Sequence, residues 1–405
     1  MLKIALIFIA TIGCGAARLE GEKLCACSLW EKINIKGCSQ ECGLLKMDVL
    51  ILFGAHLAVF TVFVIFIMLY HRGRDAGREY NERKKEIANY ALSVLVDGDN
   101  GIFHQYEKVK KFTPKIKMTA SKDKEHVPVC KNTQVQLSIR EREDDKEDPD
   151  KTKYMKYHGL SANYIRAGSS RNRFICAGPP PKHDMDRFWV MLAKNNCDTI
   201  VTIHEKDNEI VDLLQTTAVE FKDGIDSFKI KINKSSDDLS GSSSMKMKKY
   251  SYTVNGNTGV ELRHYIWTGW PDNGVPQKFE TDQMKDLEDI LKSANPILLM
   301  SKNGCGRPGT FAAILTAMDM TEHSRWIWPL HVIARDIRAQ RVGAIVNEHQ
   351  YLFIVKCVLD YLMDKWKLDE KGKDSVDVDT KYKAFCDSYK KFGTKDEKKE
   401  VTKVK

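Results

Sequence analysis

Residues 295–319 read NPILLMSKNGCGRPGTFAAILTAMD, and this stretch decides the fold. An apolar run leads into Gly304-x-Gly306-Arg307-Pro308-Gly309, after which apolar residues recur at helical spacing. The order is strand, tight loop, helix N-terminus. The first N–H groups of a helix have no partner within it, and the aligned peptide dipoles place partial positive charge at the same end. An anion is therefore held at the centre of such a loop. Pro308 suits the first helical turn, where a missing N–H deprives no acceptor. Arg307 adds a guanidinium that can grip a phosphoryl group through two parallel hydrogen bonds.

The stretch resembles the signature H-C-S-A-G-x-G-R-[ST]-G-T-F of tyrosine-specific protein phosphatases. Trp267-Thr268-Gly269-Trp270-Pro271-Asp272-Asn273-Gly274-Val275-Pro276 is similar to that family's mobile general-acid loop. Gln340-Arg341, with Gln350-Tyr351-Leu352-Phe353-Ile354, resembles its water-positioning segment. Ser161-Ala162-Asn163-Tyr164-Ile165 and Phe174-Ile175-Cys176-Ala177-Gly178-Pro179 resemble two of its structural motifs. Five separated motifs in family order cover roughly Gly101 to Lys367. The resemblance implies an α/β fold, a twisted mixed β-sheet flanked by α-helices, with no metal and no cofactor.

In that family a cysteine thiolate attacks phosphorus, an aspartic acid protonates the departing tyrosine oxygen, and an arginine grips the phosphoryl oxygens. The resemblance carries the phosphate-binding loop onto Ser301, Lys302, Asn303, Gly304, Cys305, Gly306 and Arg307, and the general-acid position onto Asp272. Ser301 stands at the cysteine position and Met300 at that of its histidine neighbour. A thiol is readily driven to thiolate at a helix N-terminus, whereas a serine hydroxyl is a weak nucleophile without an adjacent base. No base stands beside Ser301 in sequence; Lys302, next to an electropositive loop, stays protonated or points to solvent. Cys305 occupies the variable loop position, where a side chain projects away from the anion, and reads as a packing residue.

Other departures point the same way. Pro308 replaces the hydroxyl residue after the arginine, and Val346 stands where the water-positioning glutamine belongs, although Gln350 is kept. Lys131-Asn132-Thr133-Gln134 resembles the substrate-recognition Lys-Asn-Arg-Tyr, with Gln134 in place of the ring that stacks on phosphotyrosine. The expectation is a pseudophosphatase that acts by binding, shielding a phosphotyrosine-containing protein or scaffolding another signalling protein on the cytosolic side. Two readings compete with it: an enzyme of altered chemistry using Ser301 or Cys305, and a receptor-like structural subunit.

Upstream, Lys3 is followed by an apolar run from Ile4 to Ile12 and by Gly15-Ala16-Ala17, which reads as a signal peptide over 1–17. That run is too short to cross roughly 30 Å of hydrocarbon as a helix. Val49 to Tyr70, VLILFGAHLAVFTVFVIFIMLY, is long enough, and only His56 and Thr61 interrupt it, so a transmembrane helix is expected over 48–70. Arg72, Arg74, Arg78, Arg83, Lys84 and Lys85 follow it closely. The positive-inside bias then places the C-terminal part in the cytosol, as in a single-pass type I protein, at the plasma membrane in preference to an internal one. Residues 18–47 form an outer stub too short for a core, where Cys25, Cys27, Cys38 and Cys42 serve either as an internal staple or as bridges for self-association.

Of the eleven cysteines, the six from Cys130 to Cys386 are scattered, which suggests two redox compartments in one chain. The 64 basic residues are mixed with 55 acidic ones and form no stripe with interleaved aromatics, so nucleic acid is not an expected partner. Residues 71–100 read as a juxtamembrane segment, 101–367 as the phosphatase-like domain and 368–405 as a charged tail. Helical spacing marks Ile87–Val96 and Gly101–Phe112, the latter with Ile102, Phe103, Tyr106 and Val109 on one side. Strands are expected within Asp198–His204 and over Phe228–Ile232, and loops over Glu141–Asp150 and Ser235–Ser244. The tail either frays or adds one amphipathic helix through Tyr382, Phe385 and Tyr389.

Overall fold

The computed structural model describes residues 46–95, 98–111, 128–142, 152–167, 170–181, 184–206, 218–223, 226–240, 245–257, 259–276, 279, 281–369 and 377–390. The chain divides into two compact units, Met1–Glu82 and Arg83–Lys405. In the first, the described residues belong to helix α1 (Lys46–Leu95), whose residues from Arg83 onward count with the second unit. Leu57, Phe60, Phe63, Phe66, Leu69 and Tyr70 are all exposed. Their spacing distributes apolar side chains around the whole helix, a pattern that water does not favour. Among the described residues this is the one helix long and apolar enough to cross a membrane. The expected signal peptide, and all of the outer stub but Lys46 and Met47, lie outside the described residues.

In the second unit, a nine-stranded sheet is built from β1 (Gln134–Arg142), β2 (Thr152–Ala167), β3 (Ser170–Ala177), β4 (Thr199–Ile203), β5 (Ala218–Asp223), β6 (Asp226–Ser240), β7 (Met245–Val254), β8 (Val260–Trp267) and β9 (Ile297–Met300). Their spatial order is β1-β2-β3-β9-β4-β8-β7-β6-β5. The four central strands β3, β9, β4 and β8 run parallel, and antiparallel strands extend the sheet on both sides. Parallel strands are covered on both faces, which explains why β9 is apolar at every position. Ile297 and Leu299 join the core that includes α5 (Gly306–His323), α6 (Leu330–Gln340) and α7 (Glu348–Trp366). Leu298 and Met300, pointing the other way, join the core containing Phe188, Trp189 and Leu192 of α3 (Met185–Lys194). The remaining helices are α2 (Gly98–Lys110), α4 (Thr281–Leu291) and α8 (377–390).

The compact unit starts ahead of the expected domain boundary at Gly101. Ile87, Ala91, Val94 and Leu95 of α1 are buried in the same core as Ile102, Tyr106 and Val109 of α2. The helical spacing over 87–96 thus marks a packed face of this unit. The tail helix α8 docks as well, burying Val378 and Phe385 with Tyr382 and Tyr389 packed alongside.

Two loop expectations need correction. Ser235–Ser240 continue β6, pairing irregularly with β7 through Ser236↔Lys249 and Ser240↔Met247. Ladder bonds are made by backbone groups and do not require an apolar side-chain period. Glu141 and Arg142 close β1, while 143–150 lie outside the described residues.

Candidate functional site

The loop 301–305 leaves β9 at the carboxyl end of the parallel strands and enters α5 at Gly306. A crevice at that end of a parallel sheet is where ligands bind in open α/β folds. Gly304 makes the turn with φ +62°. A Cβ built there would sit 2.1 Å from Gly178 N and 2.2 Å from Ala177 C, so the loop presses directly on the end of β3. A Cβ on Gly306 would meet Val346 Cγ2 at 2.7 Å, and one on Gly309 would meet Ala344 Cβ at 2.4 Å. All three glycines are demanded by close packing.

A buried arginine ties the loop from beneath. Arg341 Nε donates to Gly304 O (2.9 Å) and its Nη1 donates to Asn163 Oδ1 (2.8 Å). Asn163, wholly buried in β2, in turn donates to Cys130 O and to Thr133 Oγ1, both at 2.9 Å. The hydroxyl of Thr133 donates to Gln340 O at 2.6 Å. Charged donors with several acceptors in a dry interior make a stiff network, and this one ties three separate segments of sequence to the loop.

Ser301 lies at the floor, 1% exposed, where its Oγ accepts the Gly304 N–H at 3.2 Å. Among the described residues no imidazole or carboxylate hydrogen-bonds to it. Met300 is buried in the sheet. Cys305 is buried too, with Sγ donating to Asn303 O at 3.1 Å; burial pushes its thiol pKa up, with Arg341 opposing. Its Cβ faces Gly343, beside the loop and not at its centre. Cys176 and Cys130 experience the same Arg341 charge, and burial pushes the Cys176 thiol up to about 12.

Arg307, fully buried, donates from Nη1 to Trp270 O (3.1 Å), and its Nη2 lies 3.6 Å from Asp272 Oδ1. Asn303 Nδ2 donates to the other Asp272 oxygen at 3.2 Å. The Asp272 segment therefore lies against the 301–307 loop, its carboxylate shared between Arg307 and Asn303. Further contacts keep it there. Trp270 Nε1 donates to Gly274 O (2.8 Å), Asn347 Nδ2 donates to Asn273 O, and Asp272 N–H donates to Glu205 Oε2 at 3.3 Å. Behind it, Trp267, Trp270, Phe279 and Phe353 form an aromatic stack with centroids 5.0–6.1 Å apart.

The structure brings Ser301, Asp272, Arg307, Val346 and Gln350 together. Gln350 Oε1 accepts from Val346 N–H (2.9 Å) and Thr310 Oγ1 (3.1 Å), which occupies the amide in holding the segment. Val346 is 44% exposed at the rim. Lys302 is exposed, and Gln134 is turned to the backbone, donating to Leu160 O at 3.0 Å. Asn347 and Glu205 escaped the sequence reading; Asn347 is also the N-cap of α7, accepting from Gln350 N–H at 3.0 Å, a pattern visible in Asn-x-x-Gln. Nothing in the sequence marks Glu205. Among the described residues no group of His, Cys, Asp and Glu is arranged to hold a metal ion.

Residues 119–360 match the family model for protein-tyrosine phosphatase. The chain is 26% identical over 240 residues to receptor-type tyrosine-protein phosphatase eta of Gallus gallus, covering 57% of this chain and 16% of that protein. It is 24% identical over 221 residues to receptor-type tyrosine-protein phosphatase alpha of Homo sapiens, covering 50% and 26%. The chain thus spans about a quarter or less of these two relatives. A solved structure of PTPN18, concerning its fingerprint on distinct HER2 tyrosine phosphorylation sites, shares the fold at 18% identity with a TM-score of 0.50, covering 67% of this chain and 99% of that one.

Proposed function

The chain belongs to the protein-tyrosine phosphatase family, and from that premise we propose that it is a membrane-anchored member that binds signalling proteins and does not hydrolyse their phosphate. The single observation that carries this reading is Ser301 at the attacking position, its Oγ accepting a loop N–H and touching no base. An alkoxide is not formed at neutral pH without one, and the buried, raised-pKa Cys305 faces away from the loop centre. Asp272 retains a proton donor's position, but an acid with no attacking group completes no transfer.

The anchor is the apolar part of α1, whose exposed Leu, Val, Phe and Ile side chains call for a lipid environment. Basic residues from Arg72 to Lys85 support a type I arrangement with the phosphatase-like unit in the cytosol, and the reading takes the membrane to be the plasma membrane. The receptor-type relatives accord with this. The binding role takes one of two forms: shielding of a phosphotyrosine protein through the cradle, or scaffolding through other surfaces, with self-association through the outer cysteines.

The test uses the full chain in nanodiscs. Hydrolysis of phosphotyrosine peptides and of an aryl phosphate is expected to equal that of the S301A,C305A chain; turnover above this control would overturn the reading. Capture from lysates with and without tyrosine phosphorylation, by wild type and Arg307→Ala, then separates the two forms. Equal recovery in all four arms discards recognition of phosphate and leaves scaffolding.

A further inference from the structure

The turn 324–329, Ser-Arg-Trp-Ile-Trp-Pro, joins α5 to α6 and is held at both shoulders by α1. Arg83 Nη2 donates to Thr321 O (2.9 Å) and Ser324 O (2.7 Å), and Tyr90 OH donates to Trp328 O (3.2 Å). Ile327 packs inward against the core. Trp326, at the apex, is 76% exposed, and Trp328 is 38% exposed. Two indole rings are thus exposed within three residues of one another on a turn that Arg83 and Tyr90 hold in place.

The surroundings are cationic. The Arg325 guanidinium lies 6.0 Å from the Trp326 ring centre. Burial pushes the pKa of His331, at the start of α6, down, and the nearby charges of Lys108 and Arg335 add to that shift. Of the acids nearby, Glu86 is charge-paired with Arg83 (2.8 Å), while Glu322 accepts from Tyr361 OH (2.7 Å) and Asp319 lies 3.3 Å from His323 Nδ1. Tryptophan with a basic rim is the composition that settles at a lipid–water boundary, the indole body among acyl chains and its N–H among headgroups.

Chain connectivity selects the occupant. The apolar run ends at Tyr70, and Arg83, which holds the turn, is thirteen residue steps later. However those residues are arranged, at most ~45 Å of chain separates the two. The bilayer is therefore presented to this turn at high effective concentration, which no soluble partner shares. We propose that the turn carrying Trp326 and Trp328 docks into the interface of the bilayer in which the chain is anchored, so that the phosphatase-like unit rests against the membrane by a second contact. This rests on the anchored reading above.

The full chain is reconstituted into phosphatidylcholine/phosphatidylserine nanodiscs, with and without acyl bromination near the headgroup, as wild type and as W326F,W328F. Bromination is expected to quench wild-type tryptophan emission more than that of the variant, by a margin approaching the two-sevenths share that two of seven tryptophans carry. Unchanged thermal melting of the variant establishes that it is folded. Equal quenching of the two chains in discs that hold them overturns the docking while leaving the anchor intact. Failure of the chain to enter discs or to float with lipid defeats the anchor itself. Equal quenching together with Trp326-dependent capture of a soluble protein assigns the turn to that protein and likewise overturns the proposal.

Discussion

Substituting Ser301→Cys restores the missing sulfur at a site otherwise shaped to use it. The side-chain atom at 301 sits 3.2 Å from the Gly304 N–H, at the start of α5 and beside the buried Arg307. These donors stabilise a thiolate, and helix N-termini bring such pKa values to roughly 7.5 or below. A thiol at its usual value of about 8.5 is ~3% ionised at pH 7, whereas one held near 6 is ~90% ionised, a gain of about thirtyfold in attacking species. The thiolate forms a bond to phosphorus as the phosphorus–oxygen bond breaks, and Asp272 delivers the proton to the departing phenol. Release of the phosphoryl group then needs an oriented water, and Val346 offers that water no hydrogen bond. S301C is therefore expected to give a burst near one phenol per chain from an aryl phosphate, followed by slow turnover, in stopped-flow and intact-mass measurements. Adding V346Q should raise the slow phase and leave the burst unchanged. A folded S301C chain that shows neither burst nor phosphorylated mass refutes this reasoning, because a thiol at this position would then not be sufficient for attack, with Asp272 still held on Arg307.

Gly304→Ala places a Cβ at φ +62° and 2.1 Å from backbone; about 1–2 kcal/mol for the left-handed conformation and about 1–3 for the displaced backbone should lower Tm by roughly 3–8 °C in a thermal melt, and a shift within error would show that the loop does not press on β3 as described. Asn163→Ala removes a carboxamide bonded to Cys130 O, Thr133 Oγ1 and Arg341; a loss of about 2–4 kcal/mol is expected from urea unfolding, and a change under about 0.5 would deny the network its role. Burial pushes His264 down to about 3 while its Nε2 sits 2.9 Å from Thr202 Oγ1. The unfolded chain then binds the extra proton first, so stability falls as pH drops from about 6.5 towards 3, by up to roughly 1.4 kcal/mol per pH unit. His264→Gln should flatten that slope in urea titrations at successive pH values; an unchanged slope assigns it to other groups.

The fold was legible where local backbone demands specific residues. Gly304 and Pro308 announce a strand–loop–helix turn, and the Trp267–Pro276 segment carries its own hydrogen bond from Trp270 to Gly274 O. The spacing of Tyr382, Phe385 and Tyr389 left open fraying or a helix, and the helix, packed on the core, is what forms. Less legible was whatever depends on partners far apart in the chain. Asn163 and Arg341, Glu205 and Asp272, and Arg83 and Ser324 meet only after folding. The serine-rich end of β6 was missed for a different reason: its order comes from backbone pairing with β7, on which side-chain composition is silent. Among the residues placed at the site, Ser301, Arg307 and Asp272 were marked by the resemblance of their motifs, whereas the second hold on Asp272, from Asn303, was not legible.

The glycines at 304, 306 and 309 have a bearing on how such chains are recognised. Each is compelled by a neighbour that a single extra carbon would strike: Gly178, Val346 and Ala344. None of those collisions involves a reacting atom. A fingerprint written in these positions therefore reports the shape of a socket, and it survives intact whether or not anything in the socket still reacts. Inference of activity for chains of this architecture has to rest on the one atom at the socket floor.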